Sequence, residues 1–255
     1  MKRKIRDILR RAKNTILFYR LLLGGHRDSA RALTSGRPAV ILLCGWGGTR
    51  HTMSVLQGRL ERDGFATYVF PLGGTLGRFN TRGIDELAKK LLKHLESIAL
   101  SRASFRVAVA GHSMGGLIGR ALVSMCGGER FVHTLVTIGS PHRGSPLATT
   151  AEKTPLAKHS RALKQMVPGS ALLRRMAKRP IPREVYCASI FSTDDAYCPR
   201  PAAELEIPPG AENLANINAG DVGHVELVMD EETYGIIREE LVRGFKRAGV
   251  DVAVT

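Results

Sequence analysis

Short apolar runs alternating with helical stretches restrict the fold of this chain more than any other feature it has. The runs are Ala39 to Cys44, Phe65 to Phe70, Phe105 to Ala110, Val132 to Ile138 and Val185 to Phe191, with a more polar sixth at Asn213 to Asn218. Between them lie segments of helical periodicity. These are Thr52 to Asp63, a stretch carrying Ile84, Leu87, Ala88, Leu91, Leu92 and Leu95 on one face, Met114 to Met125, and Glu231 to Arg247. A strand that is apolar at every position must be covered on both faces, and a helix in each connection brings the next strand back parallel. The pattern predicts an α/β fold: a mostly parallel sheet of about six strands with helices on both faces. With 255 residues, 44% hydrophobic and 24% charged, the chain has enough core for one such domain over residues 37–255. No apolar stretch approaches the roughly 18 residues of a spanning helix, so none is expected.

The alternation breaks at residues 145–182. This insertion is helical and basic and carries Pro146, Pro155, Pro168 and Pro180. Placed after a loop at the carboxyl ends of the strands, it would sit above any site there as a small helical cap.

Charge sets the amino terminus apart. Lys and Arg number 38 against 23 Asp and Glu, a net charge of +15, and residues 1–31 hold +8 of it. Residues 1–36 read as a basic amphipathic helical appendage, with Ile5, Ile8, Leu9, Ala12, Ile16, Tyr19 and Leu23 at three- and four-residue steps. An interfacial helix on anionic lipid fits this pattern, as does a helix packed on its own domain with a solvated basic face. A cleaved export signal fits less well, because Arg20 interrupts the apolar run and no small-residue cleavage site follows closely. Peripheral contact with an anionic membrane through residues 1–31 is therefore expected. Localisation is expected to be cytoplasmic or at the cytoplasmic membrane face, with export left open. With Phe18 and Tyr19 as its only aromatics and no recognised motif, the helix does not suggest nucleic acid as a partner. Cys44, Cys126, Cys187 and Cys198 show no CxxC spacing and read as reduced thiols; Cys187 and Cys198 could pair only on export.

Gly111-His112-Ser113-Met114-Gly115 fits G-x-S-x-G. In a chain with 27 glycines the string alone says little. Its setting says more, because an apolar strand runs directly into it and a helix runs directly out. A serine on such a turn takes a strained backbone, and only tiny flanking residues let strand and helix approach. Its hydroxyl then stands above the sheet at a helix N-terminus, where amides and the helix dipole favour a developing anion.

With these motifs the chain resembles the α/β-hydrolases, and among them the bacterial lipases and esterases, over roughly residues 37 to 247. Gly45-Trp46-Gly47-Gly48 resembles the family's oxyanion loop, with Cys44 where a histidine is common. Residues 137–145 (TIGSPHRGS) and 165–173 (QMVPGSALL) resemble a signature segment and a cap segment of these lipases. The resemblance implies Ser113 as nucleophile and the backbone amides of Met114 and Trp46 as oxyanion donors. It also implies the chain order Ser, acid, His. Trp46 is, in addition, either a wall of the acyl pocket or a packing residue. The acid falls in the loop Ser192 to Pro199, where Asp195, four residues before the proline, is preferred and Asp194 is the alternative. The aspartate not used is expected to bond local backbone amides. Of eight histidines only His224 follows the acid, so it is the expected base; His142 reads as structural.

The function implied is a serine carboxylic-ester hydrolase forming an acyl-enzyme on Ser113, acting on lipid-like acyl esters and needing no cofactor. The histidines and acids show no metal-ligand spacing, and no metal is expected. An acyltransferase or thioesterase would use the same triad. A non-catalytic membrane-associated protein of the same fold is the rival from another class. Oligomeric state is left open.

Overall fold

All six segments become strands, and they lie in one parallel sheet. The computed structural model describes residues 2–22, 33, 36–73, 82–100, 105–154 and 160–252, and not the side chains of residues 2–10 and 22. The glycine-rich stretch 74–81 and residues 155–159 of the cap segment, which include Pro155 and His159, lie outside that description, as does most of residues 23–35.

The strands are β1 (Ala39–Leu43), β2 (Ala66–Val69), β3 (Val107–His112), β4 (Val132–Ile138), β5 (Tyr186–Phe191) and β6 (Leu214–Asn218). Their order among the described residues is β2-β1-β3-β4-β5-β6, parallel at every pairing. Strands β1 to β5 are buried along their length; β6, at the edge, is half-exposed and correspondingly more polar. The chain leaves β1 in one direction to make β2 and returns on its other side to make β3. Between the carboxyl ends of β1 and β3 lies the point where this winding reverses, which is where such sheets open a crevice for ligands.

The helices are α1 (Lys2–Leu22), α2 (Ser54–Arg62), α3 (Ile84–Ala99), α4 (Met114–Met125), α5 (Pro146–Glu152), α6 (Arg161–Met166), α7 (Ala171–Ala177), α8 (Arg200–Ala203) and α9 (Glu231–Arg247). Two glycines show how closely the sheet is covered. A methyl at Gly119 of α4 would stand 2.5 Å from Leu135, and one at Gly244 of α9 would stand 2.2 Å from Thr134. Leu135 and Thr134 are successive in β4 and point to opposite faces, so α4 and α9 cover the two sides. The short helices α5 to α7 fill the connection from β4 to β5.

Two expectations are revised. Strand β3 continues through Gly111 to His112, two residues beyond the apolar run, because both still pair with β4 at Thr137 and Ile138. Helix α1 packs on the domain by the side opposite the described part of its apolar stripe. Phe18 is buried in the core cluster with Leu17 and Leu21 against it, while Ala12, Ile16 and Tyr19 of the stripe are exposed.

Candidate active site

Ser113 occupies the one strained non-glycine backbone position among the described residues, at φ 54° and ψ −121°. Such a conformation costs about 1–3 kcal/mol and persists only where its surroundings enforce it. The enforcement is visible. Ser113 N donates to Ile138 O at 2.8 Å, continuing the ladder with β4, and Gly116 N donates back to Ser113 O. A methyl at Gly111 would stand 2.5 Å from the backbone of Gly115, and one at Gly115 would stand 2.3 Å from the carbonyl of Leu43. Strand, turn and next helix therefore touch main chain to main chain, and the two flanking glycines are sterically required.

The loop after β1 closes on itself over this turn. Gly48 N donates to Gly45 O at 3.2 Å, and the Cys44 thiol lies 3.7 Å from Gly48 O. Burial pushes that thiol up to about 12, so it stays protonated and able to donate. With cysteine at position 44 the loop is thus closed. A methyl at Gly45 would meet the Ser113 Cβ at 3.0 Å, which places the loop backbone directly beside the serine. Trp46 lines the cavity, and its Nε1 donates to Ser160 Oγ at 3.1 Å, joining this loop to the segment before α6.

The two aspartates after β5 part company. Asp195 is buried, and its Oδ1 accepts from the amides of Tyr197 and Cys198 at 2.9 and 2.8 Å. With that oxygen fixed by the turn, Oδ2 points inward and takes His224 Nδ1 at 2.7 Å. Asp194 instead points out to an ion pair with Arg11 of α1. The expectation that the second aspartate would bond local amides is corrected: the inward aspartate does so. Gly139, at φ 55° just after β4, leaves the room this pair needs, since a methyl there would lie 3.1 Å from Asp195 Oδ2 and 3.3 Å from His224 Nδ1.

The loop carrying His224 is tied at several points. Ser192 Oγ accepts from Val222 N at 2.9 Å and from Asp194 N at 3.0 Å, and lies 2.5 Å from Val222 O. The Glu226 carboxylate accepts from Gly223 N at 2.8 Å. His112 bonds the main-chain carbonyl of His224 through Nε2 at 3.0 Å, with the two rings 4.7 Å apart. Burial, together with the neighbouring His224, lowers His112 to about 3, so its ring is neutral and donates here. His142 is buried with Nε2 3.0 Å from Thr137 Oγ1.

Ser113, His224 and the glycine loop open onto one cavity of about 440 Å³, a size suited to a small organic ligand. Its remaining walls are mainly apolar: Leu147 and Ala148 of α5, Leu163 and Met166 of α6, and Tyr197. Sequence reasoning did not bring α1 to this cavity, which Phe18 and Tyr19 line. It also missed the clasp by which Arg11 holds both Asp194 and the carbonyl of Asp221. No local signal could have found contacts between residues about 180 to 210 positions apart. Among the described residues no cluster of His, Cys, Asp or Glu is placed to hold a metal.

Sheet and elbow together make an α/β-hydrolase fold. More particularly, the chain belongs to the palmitoyl protein thioesterase family, whose model matches residues 39–196, a span that includes Ser113 and Asp195. Triacylglycerol lipases of Burkholderia plantarii and Pseudarthrobacter phenanthrenivorans are 30% and 31% identical to it over 126 and 118 residues, or 47% and 44% of this chain. The chain spans about a third of their length, 34% and 35%. Among solved structures, Aspergillus fumigatus lipase B superposes with TM-score 0.65 at 18% identity, covering 85% of this chain and 55% of that one. A Bacillus licheniformis lipase superposes with TM-score 0.61 at 14% identity, covering 85% and 94%. These last two likenesses are of fold.

Proposed function

We propose that this protein hydrolyses lipid-like acyl esters through an acyl-enzyme on Ser113. The observation that carries the reading is the Asp195–His224 pair, bonded at 2.7 Å and opening onto the cavity that also holds the strained serine. Ser113 Oγ attacks the acyl carbonyl while His224 Nε2 takes its proton, and Asp195 holds the Nδ1–H tautomer and stabilises the imidazolium. The oxyanion forms against the amides of Met114, whose N–H in the first turn of α4 has no partner within the helix, and of Trp46. Collapse breaks the bond to the leaving oxygen, which departs with the proton from His224. Water then attacks the acyl-enzyme by the same proton relay, releasing the acid and the serine hydroxyl.

The apolar cavity walls support an acyl chain as the bound part of the substrate. Ser113→Ala is expected to abolish turnover of an acyl ester and labelling by a fluorophosphonate; undiminished labelling overturns the assignment. Family membership favours a second reading, a thioester in place of the oxygen ester, with a thiolate as the leaving group. The ratio of kcat/KM for an acyl thioester and an oxygen ester of the same chain length decides between them.

A further inference from the structure

The described part of the stripe of α1 that periodicity marks as apolar, Ala12, Ile16 and Tyr19, is exposed rather than packed in the core. Ile16 is 61% exposed and Tyr19 54%, with exposed Ala12 one turn before Ile16. The helix is held on by its other side, through Phe18, Leu17 and Leu21 and through the Arg11 clasp on the loops of Asp195 and His224. A helix whose only partner is its own domain places its apolar stripe inward, so this outward stripe calls for a second partner.

Its position says where that partner lies. Tyr19 lines the cavity over Ser113, as do Leu147 of α5 and Tyr197, which are themselves 48% and 42% exposed. Exposed apolar side chains thus stand around the mouth of the proposed acyl pocket. Lys13 and Arg20, both exposed, lie beside them on α1, within a segment whose net charge is +8. Apolar groups set among cations are what an anionic lipid surface receives, with the ring and alkyl groups in the acyl boundary and the cations at the phosphates. A second copy of the chain would bring two such positive faces together, which charge opposes.

We infer that the exposed face of α1, with the rim of the cavity, docks on an anionic lipid bilayer. Ile16 and Tyr19 enter the surface and Lys13 and Arg20 bind its headgroups. The Arg11 clasp then keeps the cavity mouth against the membrane, where an acyl chain passes in between Tyr19, Leu147 and Tyr197. The passage of substrate rests on the reading of the site above; the docking does not.

The test uses the full chain carrying Ser113→Ala, which binds without consuming the vesicles. It is sedimented with vesicles of phosphatidylcholine alone and of phosphatidylcholine with phosphatidylglycerol. Binding is expected with the anionic vesicles, weakening as salt is raised. Ile16→Glu and, separately, Lys13→Glu are expected to lower the partition at least about tenfold, with Ile16→Leu retaining it. Both positions are exposed, and thermal melts report whether each variant is folded; Lys13→Glu carries the test if Ile16→Glu is not. The inference is overturned by absent binding, by equal binding to both vesicle types, or by folded charge variants that bind like their parent. Self-association lost in Ile16→Glu without vesicle binding overturns it in favour of a second copy. Because binding is read on the serine-less variant, failure of ester hydrolysis in the intact chain leaves this result standing, and the reverse.

Discussion

Asparagine at position 195 is expected to disable the site by a route the hydrogen bonds dictate. Asp195 Oδ1 accepts two backbone amides, from Tyr197 and Cys198, which an amide nitrogen cannot do. The asparagine oxygen must therefore take that side, and its NH2 group must face His224 Nδ1, where the carboxylate now accepts at 2.7 Å. A donor there forces the imidazole to carry its proton on Nε2, the nitrogen meant to receive the proton of Ser113. A wrong tautomer of this kind costs about 10⁴ in kcat, or about 5 kcal/mol of transition-state stabilisation. Shape and backbone bonding are preserved, so Asp195→Asn should keep its melting behaviour while losing activity. The neighbouring change gives the control. Asp194→Asn removes only the partner of Arg11 in an exposed ion pair worth about 0–1 kcal/mol, and kcat should change less than about fivefold. The assay is steady-state hydrolysis of a soluble short-chain ester by the two variants side by side. If Asp195→Asn stays within tenfold of the parent, or if Asp194→Asn is the inactive one, the reasoning fails.

Two further outcomes test the packing and the buried charge states. Gly115→Ala drives a methyl to 2.3 Å from the Leu43 carbonyl and should cost about 3 kcal/mol or more in urea unfolding, whereas Gly58→Ala in α2 meets nothing within 4 Å and should gain about 0.5–1 kcal/mol; equal stability of the two would refute the steric account of the elbow. Burial lowers His112 to about 3 and His133 to about 4 from the ordinary 6.5. The unfolded chain takes up these protons first, so their contribution is complete above pH 6.5 and is lost as pH falls toward 3–4. By pH 5 each should have cost about 2 kcal/mol. His133→Gln should shrink the stability lost between pH 7.5 and 5 by that amount, and an unchanged loss counts against a neutral buried ring.

How far the site could be read from sequence follows from how local its constraints are. The elbow was legible because main chain meets main chain at Gly111 and Gly115, so residue size there is dictated by a few neighbouring positions. The placing of Asp195 depended on a turn of four residues, Asp195 to Cys198, that closes on its own carboxylate. Periodicity likewise located α1 and its stripe. It could not say which way the stripe faces, because that depends on Phe18, which stands outside the stripe, and on Arg11, whose partners are far away in the chain. Ser192 was passed over for the same reason: its hydroxyl joins two loops about 30 residues apart. The end of β3 was misjudged because a glycine reads as a strand terminus, whereas here pairing with β4 carries the strand through it.

His112 shows what elimination by chain order leaves unexplained. As a base it is disqualified, yet its ring is buried beside that of His224 and bonded to that residue's carbonyl. In the proposed mechanism His224 becomes a cation between the two proton transfers. A second positive charge 4.7 Å away would oppose that by about 3.5 kcal/mol at an effective dielectric constant of about 20. Burial prevents this, because it holds the His112 ring neutral at any pH well above 3. The ring can then donate to the His224 backbone and fix its position without adding charge. A lysine or arginine could supply the same donor only with a permanent charge. An aliphatic residue would leave the carbonyl without it. A histidine sealed within the elbow satisfies both demands.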